Sequence, residues 1–294
     1  MSQVLGSSRR GFLSTTGRAM LGGALARVPA PSSVISGSGG SPPRTKPPVI
    51  DCHAHAGIAR LQGMDFDMIA PWDAVADAEV IARHAEEVGI DRTVIFPIFC
   101  IKFAEANKEI ADIVRRHPGR FIGFAKHHPI NEKGEIRSLL FREVHELGLR
   151  GLKLHEQPTP EVLDAVKELG IPVLYHPRRV ALYEEFVGSY PTINFILAHM
   201  GSDQSADWRE HLAAIDLARR YLNVHLDTSA GCLMSEFLER AIKELPPQQI
   251  MFGSDEPEID CRMELKRIRV LKLPSESEEL ILGGNMLRLL GGRL

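Results

Sequence analysis

From Val49 onward the chain alternates two hydrophobic patterns. Short apolar runs begin at Val49 (VIDCHAH), Arg92 (RTVIFPI), Phe121 (FIGFAKHH) and Gly151 (GLKLHE). Four more begin at Ile171 (IPVLYHP), Asn194 (NFILAHM), Asn223 (NVHLDTS) and Gln249 (QIMFGSD). Each has the length and branched-chain content of a buried strand. Between them apolar residues recur at helical spacing: Asp77–Val88, Phe103–His117, Glu135–Leu147, Glu161–Leu169, Asp207–Tyr221 and Ser235–Leu245. Val180–Ser189 carries a shorter helical pattern, and Cys261–Leu271, Ser275–Leu282 and Asn285–Leu290 follow the last strand. Strand–helix alternation predicts an α/β fold with a parallel sheet and crossover helices. Eight such units over residues 49–294 match a (β/α)8 barrel (TIM barrel) in number and size. The competing open, doubly wound sheet calls for a glycine-rich phosphate turn after its first strand, and none follows Val49–His55.

The polar residues gather at one end of these strands. Side chains alternate along a strand, so His53 and His55 share a face, with Cys52 and Ala54 expected on the other. His176, His199 and Asp255 each close an apolar run, at strands five, six and eight. In a parallel barrel these ends form the C-terminal mouth, where active sites are built. Four histidines and an aspartate from four strands therefore converge on one mouth. Neutral imidazoles with a carboxylate suit Zn²⁺, Mn²⁺, Fe²⁺ or Co²⁺.

The first 48 residues are of a different kind. They hold Arg9, Arg10, Arg18, Arg27, Arg44 and Lys46 and no acidic residue, so the formal charge of −3 conceals a more acidic body. Ser8-Arg9-Arg10-Gly11-Phe12-Leu13 resembles a twin-arginine export motif, and Ala24-Leu25-Ala26 offers a small-x-small cleavage site. The expectation is a signal peptide over 1–30, a Ser/Gly/Pro linker over 31–48, engagement of the twin-arginine export machinery, and a periplasmic or otherwise exported product. No stretch reaches the roughly 18 apolar residues of a membrane span, so stable membrane insertion is not expected. No basic run suggests nucleic acid. Four cysteines without CxxC pairing exclude a disulfide scaffold and a zinc ribbon.

Val49-Ile50-Asp51-Cys52-His53-Ala54-His55 resembles the strand-one HxH signature of the amidohydrolase superfamily. Gly151–His155, Leu174–His176, Leu197–Gly201, Phe252–Pro257 and the tail Ile281–Leu289 are similar to the later strands and closing helix of its amidohydrolase-related branch, which includes aminocarboxymuconate-semialdehyde decarboxylase-like enzymes. The resemblance covers residues 49–294. It implies one divalent transition metal, zinc foremost, held by His53, His55, His176 and Asp255. Asp255 and His199 would be catalytic, and Lys153, His155 and Arg178 would face a small-molecule substrate. In some members of the superfamily a carboxylated lysine at strand four bridges a second metal, which is the alternative for Lys153. His127, His128, Asp227 and Arg179 are further candidates for the mouth. His84, His117, His145 and His211 fall in helical patterns and are expected in solvent.

Two chemistries fit this ligand set. Hydrolysis of an amide, ester or lactone needs only an activated water, and is the first expectation. Non-oxidative decarboxylation of an unsaturated or aromatic acid needs in addition a cation for the carboxylate, for which the sequence offers Arg178 or Arg179. A barrel that binds without turnover would be expected to lack a ligand position, and none is lacking.

Overall fold

Eight parallel strand positions close into a ring. The structure, a computed structural model, describes residues 46–59, 75–202, 207–229 and 235–292. The expected signal peptide and nearly all of the linker lie outside the described residues. In chain order the strands are β1 (Ile50–Ile58), β2 (Val75–Ala76), β3 (Arg92–Pro97), β4 (Phe121–Gly123) and β5 (Ala125–Lys126). Then follow β6 (Leu152–Leu154), β7 (Val173–Tyr175), β8 (Phe195–Leu197), β9 (Val224–Asp227) and β10 (Ile250–Met251). Neighbours pair in parallel from β1 through β3 to β4, and from β5 through to β10. β4 and β5 are two halves of one strand interrupted at Phe124, whose N–H donates to Ile95 O at 2.9 Å. The last strand returns to the first: Cys52 N donates to Phe252 O at 2.9 Å and Asp255 N to His53 O at 2.8 Å. The eight expected strands are all present. The two-residue β2, which pairs antiparallel with the end of β1, was not expected.

Helices follow the strands as the pattern predicts, and local chemistry sets their ends. Asp77 caps the helix Ala78–Val88 by accepting from Glu79 N at 2.9 Å. Gly89 ends it at φ +77°, a left-handed conformation that costs glycine nothing. Val180–Ser189 divides into a 3-10 turn (Val180–Tyr183) and a short helix (Glu184–Ser189). None of the described helices is long and apolar enough to cross a membrane.

The core has two layers. Outward-facing strand residues such as Ile95, Leu152, Leu154 and Val173 pack with the helices. Inside the ring, Ile50, Cys52, Phe96, Phe124, Leu174 and Met251 form a second cluster, joined by Met286 and Leu290 of the C-terminal segment. Truncating a buried phenylalanine such as Phe124 to alanine would cost about 3–5 kcal/mol. Cys52 corrects a sequence expectation. The register of β1 against β3 shifts between Asp51 and Ala54, and this bulge leaves Cys52 inside the ring along with His53.

Candidate metal centre and active site

The strand ends carry the polar cluster. His53 and His55 lie on β1, Lys126 ends β5, Lys153 lies on β6, and Asp227 ends β9. His155, His176, His199 and Asp255 sit just beyond β6, β7, β8 and β10. Two of these turns are forced. His199 and Asp255 hold φ of 55° and 72°, and Met200 beside His199 holds 52°, a left-handed region that costs a side-chain-bearing residue free energy and recurs at functional sites. Gly253 permits the approach of β10 to the cluster, since a Cβ there would lie 3.0 Å from that of His53 and 3.4 Å from the Asp227 carboxyl carbon.

Three donors meet at one point. His53 Nε2 and His55 Nε2 approach Asp255 Oδ1 at 3.1 and 3.2 Å. The ligand atoms of these three residues lie within 4.8 Å of one another. Yet Asp255 Oδ1 is buried and makes no hydrogen bond of good geometry among the described residues. Two imidazole nitrogens and a carboxylate oxygen aimed at a common centre, with no proper bond between them, is the arrangement expected of ligands round a divalent ion. The residues present therefore fit a metal. The His176 ring lines the same cavity, its centroid 4.6 Å from that of His199. Lys153 Nζ stands 3.2 Å from His53 Nε2.

A carboxylate behind the cluster orients it. Asp227 Oδ2 lies 2.8 Å from His53 Nδ1, so that nitrogen donates and Nε2 is left to face Asp255. Asp227 Oδ1 accepts from Ser229 Oγ and from the backbone N–H of His199. Ser229 Oγ in turn lies 2.9 Å from His199 Nδ1. With the serine proton committed to Asp227, the network assigns the His199 proton to Nδ1 and turns an unprotonated Nε2 toward Asp255 Oδ2, 3.8 Å away. Ser229 carried no signal in the sequence beyond its place two residues after a strand-end aspartate.

Burial and neighbouring charge set the protonation states. Burial pushes His55 down to about 3 and His199 to about 4, and takes His176 and His155 lower still. Burial disfavours the carboxylates of Asp255 and Asp227, but His53 and His199 outweigh it and hold both well below the usual carboxylate range. His53 is the exception among the rings: burial and Lys153 work against its charge, yet Asp227 and Asp255 raise its pKa. Positive charge is thus favoured between the two carboxylates, where a metal would displace a proton. Burial lowers the Lys153 ammonium to about 8.

Lys126 enters the site although the sequence reading passed it over. It is 95% shielded from solvent and lines a cavity of about 150 Å³ with His55, Phe99, His176, His199 and Asp255. Its Nζ donates to Pro97 O at 3.0 Å and Ile98 O at 3.2 Å. Its backbone is fixed by Asn107, which accepts from Lys126 N at 2.9 Å and donates to Lys126 O at 3.1 Å. The available signal was alternation: Ile122 and Phe124 face into the ring, and Lys126 is the next residue of that series.

Other candidates are placed as follows. Arg178 lies toward the outer part of the mouth, 73% exposed at its side chain, and its guanidinium donates to Glu156 at 3.0 Å. His127 is buried between Glu132 and Glu143. His145 is exposed as expected, but His211 is not: it is buried with Nδ1 3.2 Å from Met200 O, because its helix turns that face toward the strands. His84 is also largely covered and meets Glu256 at 2.5 Å.

Comparisons with known proteins agree with this picture. A protein-family model described as amidohydrolase matches residues 50–292. Among solved structures, 5-carboxyvanillate decarboxylase from Sphingomonas paucimobilis is 18% identical, with a TM-score of 0.64, covering 83% of this chain and 99% of that one. A dihydroxybenzoic acid decarboxylase from Polaromonas sp. JS666, solved with manganese and 2-nitroresorcinol, is 19% identical, with a TM-score of 0.63 and coverage of 84% and 98%. An amidohydrolase from Burkholderia multivorans, solved with zinc, is 13% identical, with a TM-score of 0.68 and coverage of 83% and 99%. No curated protein matches the chain significantly.

Proposed function

The chain belongs to the amidohydrolase family, and from that premise we propose that it is a metal-dependent, non-oxidative decarboxylase of a small aromatic or unsaturated acid. The observation that carries this is Lys126. Hydrolysis is the first expectation because decarboxylation needs a cation for the carboxylate and the sequence shows no second arginine ending a strand near the mouth. Lys126 is such a cation, in the wall of the cavity that holds His55, His176, His199 and Asp255. Likeness to two decarboxylases of hydroxylated aromatic acids supports the same choice.

In this proposal His53, His55, His176 and Asp255 hold the ion, which is manganese or zinc. Bound there, it would supply Lewis-acid polarisation of a substrate oxygen. Lys126 draws in the substrate carboxylate by a charge-assisted contact. One proton, taken from solvent water, passes through His199 Nε2 and Asp255 Oδ2. That proton is delivered to the carbon bearing the carboxylate. The substrate's π pair forms that C–H bond; the C–C bond then breaks, its electron pair restores the π system, and CO₂ leaves. Lys153, buried beside His53, and His155 at the cavity wall limit water and fix the donor nitrogens. Hydrolysis remains the second reading, favoured by the unprotonated His199 Nε2, which is also placed to accept a proton from water.

Assaying aromatic and muconate-like acids beside esters, lactones and amides in H₂¹⁸O tests the choice. Release of CO₂ without ¹⁸O in the other product, with KM raised at least tenfold by Lys126→Met, is the expected result. Incorporation of ¹⁸O from an ester, lactone or amide, with no CO₂ from any acid, would overturn it. The leader is proposed, on its sequence, to route the folded enzyme through twin-arginine export. Arg9→Lys with Arg10→Lys should retain the precursor in the cytoplasm, and unchanged export of that variant would end the idea.

A further inference from the structure

The cavity at the metal residues opens into a second, larger one. The inner chamber, about 150 Å³, is the size that holds roughly one benzene ring in an apolar protein interior. A metal and the reacting carboxylate must share it. The outer chamber measures about 580 Å³ and shares Phe99, Lys126, His155 and His176 with the inner one. Its lining includes Phe99, Cys100 and Phe103 together with His128, Glu156 and Arg178.

Phe99 is the anomalous residue of this wall. Phe103 and Cys100 belong to a small buried cluster, 4% and 8% exposed, and folding accounts for them. Phe99, next to them in the loop after β3, is 54% exposed. An aromatic ring held half in solvent contributes little to folding but offers an apolar face to a ligand. Lys126 Nζ stands 5.8 Å from its centroid and 5.3 Å from that of Phe103, so the cation sits at the junction of the two chambers with aromatic faces beside it. The polar pair in the same lining, Arg178 with Glu156, is joined by an ion pair at 3.0 Å.

We infer that the outer chamber is a second substrate subsite, and that the acid turned over here extends beyond a single ring, with an apolar or aromatic extension lying on Phe99. The inference rests on the decarboxylase reading for the identity of the reacting end. The subsite itself is read from the two chambers, from continuity through Phe99 and Lys126, and from the exposed ring.

Calorimetric binding separates the two claims, because it needs no turnover. The probes are benzoate, 2-naphthoate and biphenyl-4-carboxylate, titrated into manganese-loaded wild-type protein and into Phe99→Ala. On the wild type, each extended acid should bind at least tenfold more tightly than benzoate. In Phe99→Ala that ratio should fall below about threefold, as expected when the apolar contact area of the extension is removed. Phe99 is half exposed, so its truncation leaves the core intact, and measurable benzoate binding by the variant reports a folded site. Equal affinity of all three acids for the wild type, or an unchanged ratio in Phe99→Ala, would overturn the subsite. Should the ratio behave as expected while no acid releases CO₂, the decarboxylase reading fails and the subsite stands.

Discussion

The buried histidines of the mouth and the buried His127 beside them differ in charge. In the mouth, burial keeps His55, His155, His176 and His199 neutral. Behind the wall, His127 is as thoroughly buried, yet its pKa is raised to about 9. Burial lowers it too, but Glu132 and Glu143 grip both ring nitrogens, at 3.1 and 2.8 Å, and prevail. Burial alone therefore makes an imidazole a ligand or a base; two carboxylates on the ring make it a fixed cation. The two clusters divide the labour accordingly. The neutral rings leave lone pairs for an ion and a proton. The charged ring ties Glu132, in the loop after β5, to Glu143 on the helix Ile136–His145, and Asn107 carries that network to Lys126.

The largest effect should come from breaking the cluster of the mouth at its centre. Asp255→Ala or His53→Ala removes one of three converging donors, and metal content should fall from about one per chain to near zero, with activity lost altogether. Elemental analysis checks this, and a variant that keeps its metal would remove that residue from the ligand set. Two metals per wild-type chain would instead give Lys153 a bridging role. His199→Ala is next. It should keep the metal and lower kcat by roughly 10²–10⁴, the range of a positioned acid–base group. Loss of metal along with activity would make His199 a ligand.

Why the cluster of the mouth was legible in the sequence and the charged one was not follows from these contacts. The eight strands are legible because each is a short apolar run and most close on a polar residue, and period-two alternation placed His53 and His55 together. Alternation failed once, at Cys52, because a bulge adds a residue to one strand and no composition marks it. Lys126 was not legible because a lysine closing a run is ordinarily solvated, and its burial depends on the Pro97 and Ile98 carbonyls that only the fold brings to it. Glu132 and Glu143 lie on a loop and a helix, where exposed acids are the rule, and their burial depends on a histidine that only the fold brings between them. His211 was misplaced for a similar reason: helical periodicity gives a face, and Met200 O is what that face meets.

The charged cluster should reveal itself in stability rather than rate. His127 has a folded pKa of about 9 against an ordinary value of 6.5. Its contribution is therefore fully present below about pH 6.5 and is lost as pH rises through about 9. The shift corresponds to roughly 3 kcal/mol. Urea melts at pH 6 should show His127→Gln less stable than wild type by about that amount, with the gap closing by pH 10. A gap that does not change with pH would mean that His127 is held neutral, and the contrast with the mouth would dissolve.

Ser229→Ala should have the smallest effect and probes the contrast most finely. Among the described residues, the serine hydroxyl links Asp227 to the His199 ring; it also lies 3.1 Å from His53 Nδ1, but Asp227 bonds His53 directly. Removing it leaves His53 oriented and the metal donors in place, so metal content should not move. His199 Nδ1 loses its acceptor, and with it the preference for the tautomer that turns a bare Nε2 toward Asp255. A neutral hydrogen bond that selects a tautomer contributes about 1 kcal/mol, so kcat should fall between roughly threefold and tenfold while KM stays put. Ser229→Thr retains the hydroxyl and should restore most of the rate. A purely structural role for Ser229 predicts something else: lower stability and weaker metal binding in the alanine variant, and no rescue by threonine. If kcat is unchanged in both variants, the tautomer of His199 is set without Ser229, and Asp227 serves His53 alone.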